Sequence, residues 1–170
     1  MVRRATVEDT PALARHRALM FRELQRITDA DVQPVIDATR AFLAHAIPAG
    51  IYAAWVASPV GDAATIVAGA GAQRRVILPR PDARLPFAII AEEALILNVF
   101  TDTPWRRLGI AEQLMRAVLA WTEAEGIRRV VLHASAAGRP LYERLGFAST
   151  NEMIWHGYPA PDPGPAAGGG

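Results

Sequence analysis

Arg106-Arg107-Leu108-Gly109-Ile110-Ala111 stands between an apolar stretch, residues 87–100 (FAIIAEEALILNVF), and a run in which apolar residues return every third or fourth position. Ile110, Leu114 and Val118 make one line of that run and Ala111, Met115 and Leu119 the next, which predicts an amphipathic helix closed by Gly126. Residues 87–100 read as a strand interrupted at Glu92-Glu93, where a bulge is expected. The hexapeptide is thus a strand-to-helix turn. The first amides of a helix lack intrahelical acceptors, and the aligned peptide dipoles favour an anion there. Gly109 lets a phosphate approach the backbone, Ala111 keeps the next turn uncrowded, and Arg106 and Arg107 are candidates to screen a diphosphate. The alternative is a solubilising arginine pair beside a glycine that relieves a tight turn.

Working outward, residues 3–7 predict a short edge strand, and Asp9 or Thr10 a helix cap followed by Pro11 in the first turn. Leu13, Met20, Leu24 and Ile27 recur at helical spacing, and Arg17 lies on the same stripe, either as a rim residue or in reach of a carboxylate in a site. A second helix is expected over Val32, Val35, Ile36, Thr39, Phe42, Leu43 and Ile47, capped by Asp31. Residues 51–57 and 64–78 read as a hairpin joined through Ser58-Pro59-Val60-Gly61-Asp62. Beyond Gly126, residues 128–133 predict a strand and 138–145 a short helix, with extended chain from Gly146-Phe147.

One domain with its own core fits 170 residues, and 51% hydrophobic with 21% charged residues describes a folded protein. Eighteen Lys and Arg against 17 Asp and Glu leave no nucleic-acid footprint. The absence of cysteine excludes disulfides, thiolate nucleophiles and Cys-ligated metals, and the histidines show no metal spacing, so no metal is expected. With no apolar leader and no spanning stretch, the expectation is a cytoplasmic protein that does not engage membranes. Residues 159–170 (PAPDPGPAAGGG) predict a flexible tail. No Walker pattern is present, and Gly69-x-Gly71 lacks the third glycine and following helix of a dinucleotide fingerprint.

The segment His133-Ala134-Ser135-Ala136-Ala137-Gly138-Arg139-Pro140-Leu141-Tyr142-Glu143-Arg144-Leu145-Gly146-Phe147 completes a pattern. Arg106, Gly109 and Ala111 meet the cofactor signature of the GNAT acetyltransferase superfamily, and Tyr142 with Gly146-Phe147 meets its late aromatic and Gly-Phe signature. The chain resembles that superfamily from residue 3 to about 156, in the order β-α-α-β-β-β-α-β-α-β. The resemblance implies an α/β (α+β) fold: a central mixed, twisted sheet flanked by about four helices, with a splayed strand pair forming the cofactor cleft. It implies a single acetyltransferase domain over 1–158.

By that resemblance, acetyl coenzyme A is the cosubstrate. Its diphosphate would lie on the turn made by Arg106, Arg107, Leu108, Gly109, Ile110 and Ala111, and its pantetheine arm on the strand backbone at Leu97, Asn98 and Val99. Ser135 stands where many members carry Asn and Gly138 where they carry Ala, so Ser135 offers the arm one donor instead of two. Tyr142 would protonate the departing thiolate, the alternative being a tyrosine packed on the core. The general base is left between Glu93, Glu92 and water, against the reading of both acids as solvated strand charges. Asn98 either fixes local backbone or bridges a water, or is a solvent-facing polar residue without a role. The acceptor is expected to be a small amine, with a protein amino group or a coenzyme A-binding sensor without turnover as alternatives, and the resemblance admits a homodimer.

Overall fold

The computed structural model describes residues 1–82 and 87–150. Two compact units are present, Met1–Ser135 and a second from Ala136 onward. The first contains β1 (Val2–Arg4), α1 (Thr10–Glu23), α2 (Val32–Ala46), β2 (Tyr52–Ala57), β3 (Ala68–Pro81), β4 (Ile89–Thr101), α3 (Ile110–Ala124) and β5 (Val130–Leu132). The second contains α4 (Arg139–Arg144).

The five strands form one sheet in chain order. Neighbours are antiparallel through β4, and β5 joins β4 in parallel, so the sheet is mixed as expected. Strand residues alternate between faces, and β2 shows which helix covers which. Tyr52, Ala54 and Val56 pack with Leu13 of α1 and with Leu43 and Ala46 of α2. The intervening Trp55 faces the other way and meets Trp121 of α3 at 5.9 Å between ring centroids. Burial of these two apolar layers is the main force holding helices to sheet.

Both N-terminal helices start differently from the expectation. Asp9 and Asp31 sit at the cap positions, but each begins its helix with helical backbone and makes no cap hydrogen bond. Their carboxylates turn back instead, accepting from the amides of Thr6 and Thr28 at 2.8 and 2.9 Å across 3-10 turns. Asp9 also takes two bonds from Arg3, at 2.7 and 2.8 Å, which tie β1 to the start of α1 and hold its carboxyl below the usual carboxylate range.

The glycines of β3 are spacers. A Cβ at Gly69 would stand 3.1 Å from Leu13 and 3.3 Å from His16, so this glycine lets α1 lie close to the sheet. At Gly71 a Cβ would be 2.1 Å from the Tyr52 hydroxyl. Glu92 and Glu93 pair with Val76 and Arg75, and the register shifts immediately beyond Glu92, between Val76 and Arg80, where the interruption is expected; a second shift lies between Gly69 and Gly71, opposite Asn98 and Val99. Asn98 adopts φ 58°, the left-handed conformation that an extra residue in a strand imposes.

Residues 147–150 form no strand. The tail 159–170 lies outside the described residues.

Candidate active site

The turn before α3 is built from alternating backbone handedness. Arg107 takes φ 66° and Gly109 φ 76°, and Gly109 is the N-cap, with no side chain capping the helix. The amides of Ile110 and Ala111 therefore belong to a helix start whose donors no side chain satisfies. A Cβ at Gly109 would meet nothing within 4 Å, so the backbone is open to an approaching group. Leu108 is largely exposed at 61% and shields nothing.

The two arginines divide. Arg106 donates from Nη2 to both carboxylate oxygens of Glu23 at 2.6 and 2.8 Å, and from Nε to the Thr101 carbonyl at 2.8 Å. Its guanidinium lies 5.5 Å from the Phe100 ring centroid. This corrects the expectation that its side chain is free to screen a diphosphate: it clasps the end of α1 to the end of β4. Arg107 is exposed and makes no ion pair among the described residues.

The second part of the site is where β4 leaves β5. The parallel ladder consists of Ala94, Leu95 and Ile96 against Val130, Val131 and Leu132, and it ends there although β4 continues to Thr101. Leu97, Asn98 and Val99 are thus past the last rung, and strand backbone turned from β3 has no β5 partner at this height.

Asn98 is buried, which corrects the solvent-facing reading. Its Nδ2 donates to the Tyr52 hydroxyl at 3.0 Å and its Oδ1 accepts from Arg17 Nη1 at 2.5 Å. Its side chain is committed to this interior network, leaving only its backbone for a ligand. Burial pushes the Tyr52 phenol up to about 12, so the hydroxyl stays protonated. The network went unrecognised in the sequence because Tyr52, Asn98 and Arg17 come from three separate elements.

Glu93 is buried, and its Oε2 accepts from Arg129 Nε at 2.7 Å while Oε1 is in close contact with Arg75 Nη2. Burial alone would raise its pKa, but the two guanidiniums outweigh it and hold the carboxyl below the usual range. Glu92 points to the opposite face, bound by Arg74 at 2.6 and 3.1 Å, and that pairing likewise holds its carboxyl down. Glu93 is thus no solvated strand charge, whereas Glu92 is half-exposed beside its arginine, and neither can take a proton without weakening an ion pair.

The family model of the acetyltransferase (GNAT) domain matches residues 80–155. A GCN5-related N-acetyltransferase from Ralstonia eutropha JMP134 is 32% identical, covering 91% of this chain and 96% of its own, with a TM-score of 0.76. The chain belongs to the GNAT family. A predicted acetyltransferase from Clostridium acetobutylicum, solved with acetyl-CoA, shares the fold with a TM-score of 0.76 and 20% identity over 92% of this chain and 95% of its own. The aminoglycoside N-acetyltransferase AAC(6')-Iy, solved with the bisubstrate analogue CoA-S-monomethyl-acetylneamine, shares it with a TM-score of 0.65 and 20% identity over 94% and 98%. Among curated proteins, none matches the chain.

In this GNAT chain the turn at Gly109 and the open end of the β4–β5 ladder both lie in the first unit, joined by residues 97–109. Ser135, exposed, is the last residue of that unit. Tyr142 belongs to the second, on α4, where its ring stands edge-on to Phe147 at 6.1 Å. Burial raises its phenol pKa above the ordinary value. No helix of the described residues is long and apolar enough to cross a membrane.

Proposed function

We propose that the chain transfers the acetyl group of acetyl coenzyme A to the amine of a small molecule, as a single acetyltransferase domain over 1–158. The observation that carries this reading is the pairing, on one strand-turn-helix segment, of a ladder that stops at Ile96 with an uncapped, unobstructed helix start at Gly109. The residues fit the cosubstrate: the amides from Leu108 to Ala111 and the Arg107 guanidinium would receive a diphosphate, and strand backbone at Leu97 to Val99 would hold the pantetheine arm and thioester.

The chain has no cysteine, so no acyl-cysteine can form and the amine attacks the thioester directly. A C–N bond forms as the C–S bond breaks, with oxygen charge met by a strand amide near Val99. Glu93 and Glu92 are paired anions, so water is the better acceptor for the ammonium proton, with Glu93 holding the arginines beside it. Tyr142 is assigned, on the family resemblance, to protonate the departing thiolate. Its raised pKa keeps it protonated at neutral pH.

A coenzyme A-binding domain without turnover is the second reading, favoured by the paired state of both glutamates. Release of free thiol from acetyl-CoA across an amine panel, with affinity measured in parallel, separates the two. Gly109→Val should weaken coenzyme A binding about tenfold or more, because a branched side chain is strained at positive φ and projects into the open seat. Unchanged affinity would remove the turn from the site.

A further inference from the structure

We infer that Arg17 anchors a carboxylate on the acceptor, so that the amines this chain acetylates carry an acid group; the inference rests on the acetyl-transfer reading above. Arg17 belongs to the inner stripe of α1, with Leu13 and His16 on either side of Gly69. It is half-buried, stacked with its guanidinium carbon 4.6 Å from the Phe21 ring centroid and bonded through Nη1 to Asn98. That single hydrogen bond uses one of five N–H donors. Arg15, Arg75 and Arg106 each face a carboxylate, but among the described residues Arg17 faces none. A partly buried guanidinium without an anion is unfavourable by itself, and a positioned fork with free donors suits a planar oxyanion.

Its place gives the anion a purpose. Asn98 is the bulge residue of β4, two positions past the last rung with β5, and Tyr52 locks its amide from the other side. The phenyl stack and the Asn98 bond together fix the plane of the guanidinium. One cation matches one carboxylate, whereas a phosphate dianion calls for more positive charge. The surrounding charge agrees: Glu93, four residues before Leu97 and on the same side of β4, stands between Arg75 and Arg129, leaving a positive surplus on this face. A multiply cationic acceptor would be repelled there.

The test uses the full chain with amino acids and their methyl esters as paired acceptors, reading kcat/KM for each. The wild type should prefer the free acid by about tenfold or more, and Arg17→Met should bring the ratio near one. A ratio taken within one enzyme is unaffected by the fraction that folds. Arg17→Lys, which keeps the charge and loses the fork, should retain part of the preference. Calorimetry of N-acetylated amino acids and their esters on the coenzyme A-loaded protein reads the same preference without turnover. Absence of thiol release with every amine would overturn the transferase reading and leave the calorimetric ratio to decide Arg17. An acid-to-ester ratio that is near one in the wild type, or that survives Arg17→Met, overturns the anchor.

Discussion

Gly71→Ala is a test of how tightly the interior network is specified. In an extended strand this change normally stabilises by about 0.4–1 kcal/mol, because alanine has less freedom to lose on folding. Gly71 has no positive φ, so its backbone raises no objection. The obstacle is Tyr52, whose hydroxyl oxygen and Cζ would lie 2.1 and 2.3 Å from the new carbon. Non-bonded carbons settle at about 3.5 Å or more, so the ring must move by more than about 1 Å. Tyr52 is only 2% exposed and is held by Asn98 at 3.0 Å, so that movement overpacks the core and strains or breaks the bond. Overpacking costs about 1–3 kcal/mol and the lost hydrogen bond about 1 kcal/mol, which after the backbone gain leaves a net destabilisation of about 1–3 kcal/mol. Thermal or urea unfolding reads this directly. In a Tyr52→Ala background the clash is gone, and Gly71→Ala should become neutral or mildly stabilising. A single variant as stable as the wild type, or an equal loss in both backgrounds, would refute the reasoning.

The remaining predictions concern charge and catalysis. His16 is fully buried against Phe100, and burial first, then Arg15, pushes its pKa down to about 4. Its unfolded value is about 6.5, so the unfolded chain binds the extra proton in between; stability should fall by about 2 kcal/mol from pH 7 to 5 and be flat above 7. A urea midpoint constant from pH 7 to 5, or a slope retained in His16→Gln, would contradict this. Glu93→Gln strands two half-exposed arginines and should destabilise by about 1–3 kcal/mol, while the pH profile of kcat/KM keeps its shape; loss of its ascending limb would make Glu93 the base. Tyr142→Phe should lower kcat about 100-fold with coenzyme A affinity unchanged, and equal turnover across pH would remove Tyr142 from the acid role.

Local features of the sequence carried the fold well. The periodicity from Ile110 to Leu119, Gly109 ahead of it and the hairpin over 51–78 all describe contacts between near neighbours, which patterning encodes directly. Of the two register shifts between β3 and β4, the one beside Glu92 is legible as a charged break in an apolar strand, whereas the other is a single asparagine in left-handed conformation inside an apolar run, which periodicity does not mark. The site's charges were less legible. Glu93 reads as a free acid until Arg129, 36 residues later, is brought beside it by the parallel pairing. Arg106 looks free for the same reason, its partner Glu23 being 83 residues earlier. Arg17 was visible as a cation on an apolar stripe, but only tertiary structure sets Asn98 and Phe21 around it.

The clasp between Arg106 and Glu23 bears on how a ligand is received. Because the guanidinium grips α1, the Thr101 carbonyl and the Phe100 ring at once, the turn at Gly109 is restrained before anything arrives. Association at a preorganised seat forfeits less conformational entropy than association at a loop that must first be shaped. The chain's first helix thereby lends rigidity to a landing place encoded some eighty residues downstream.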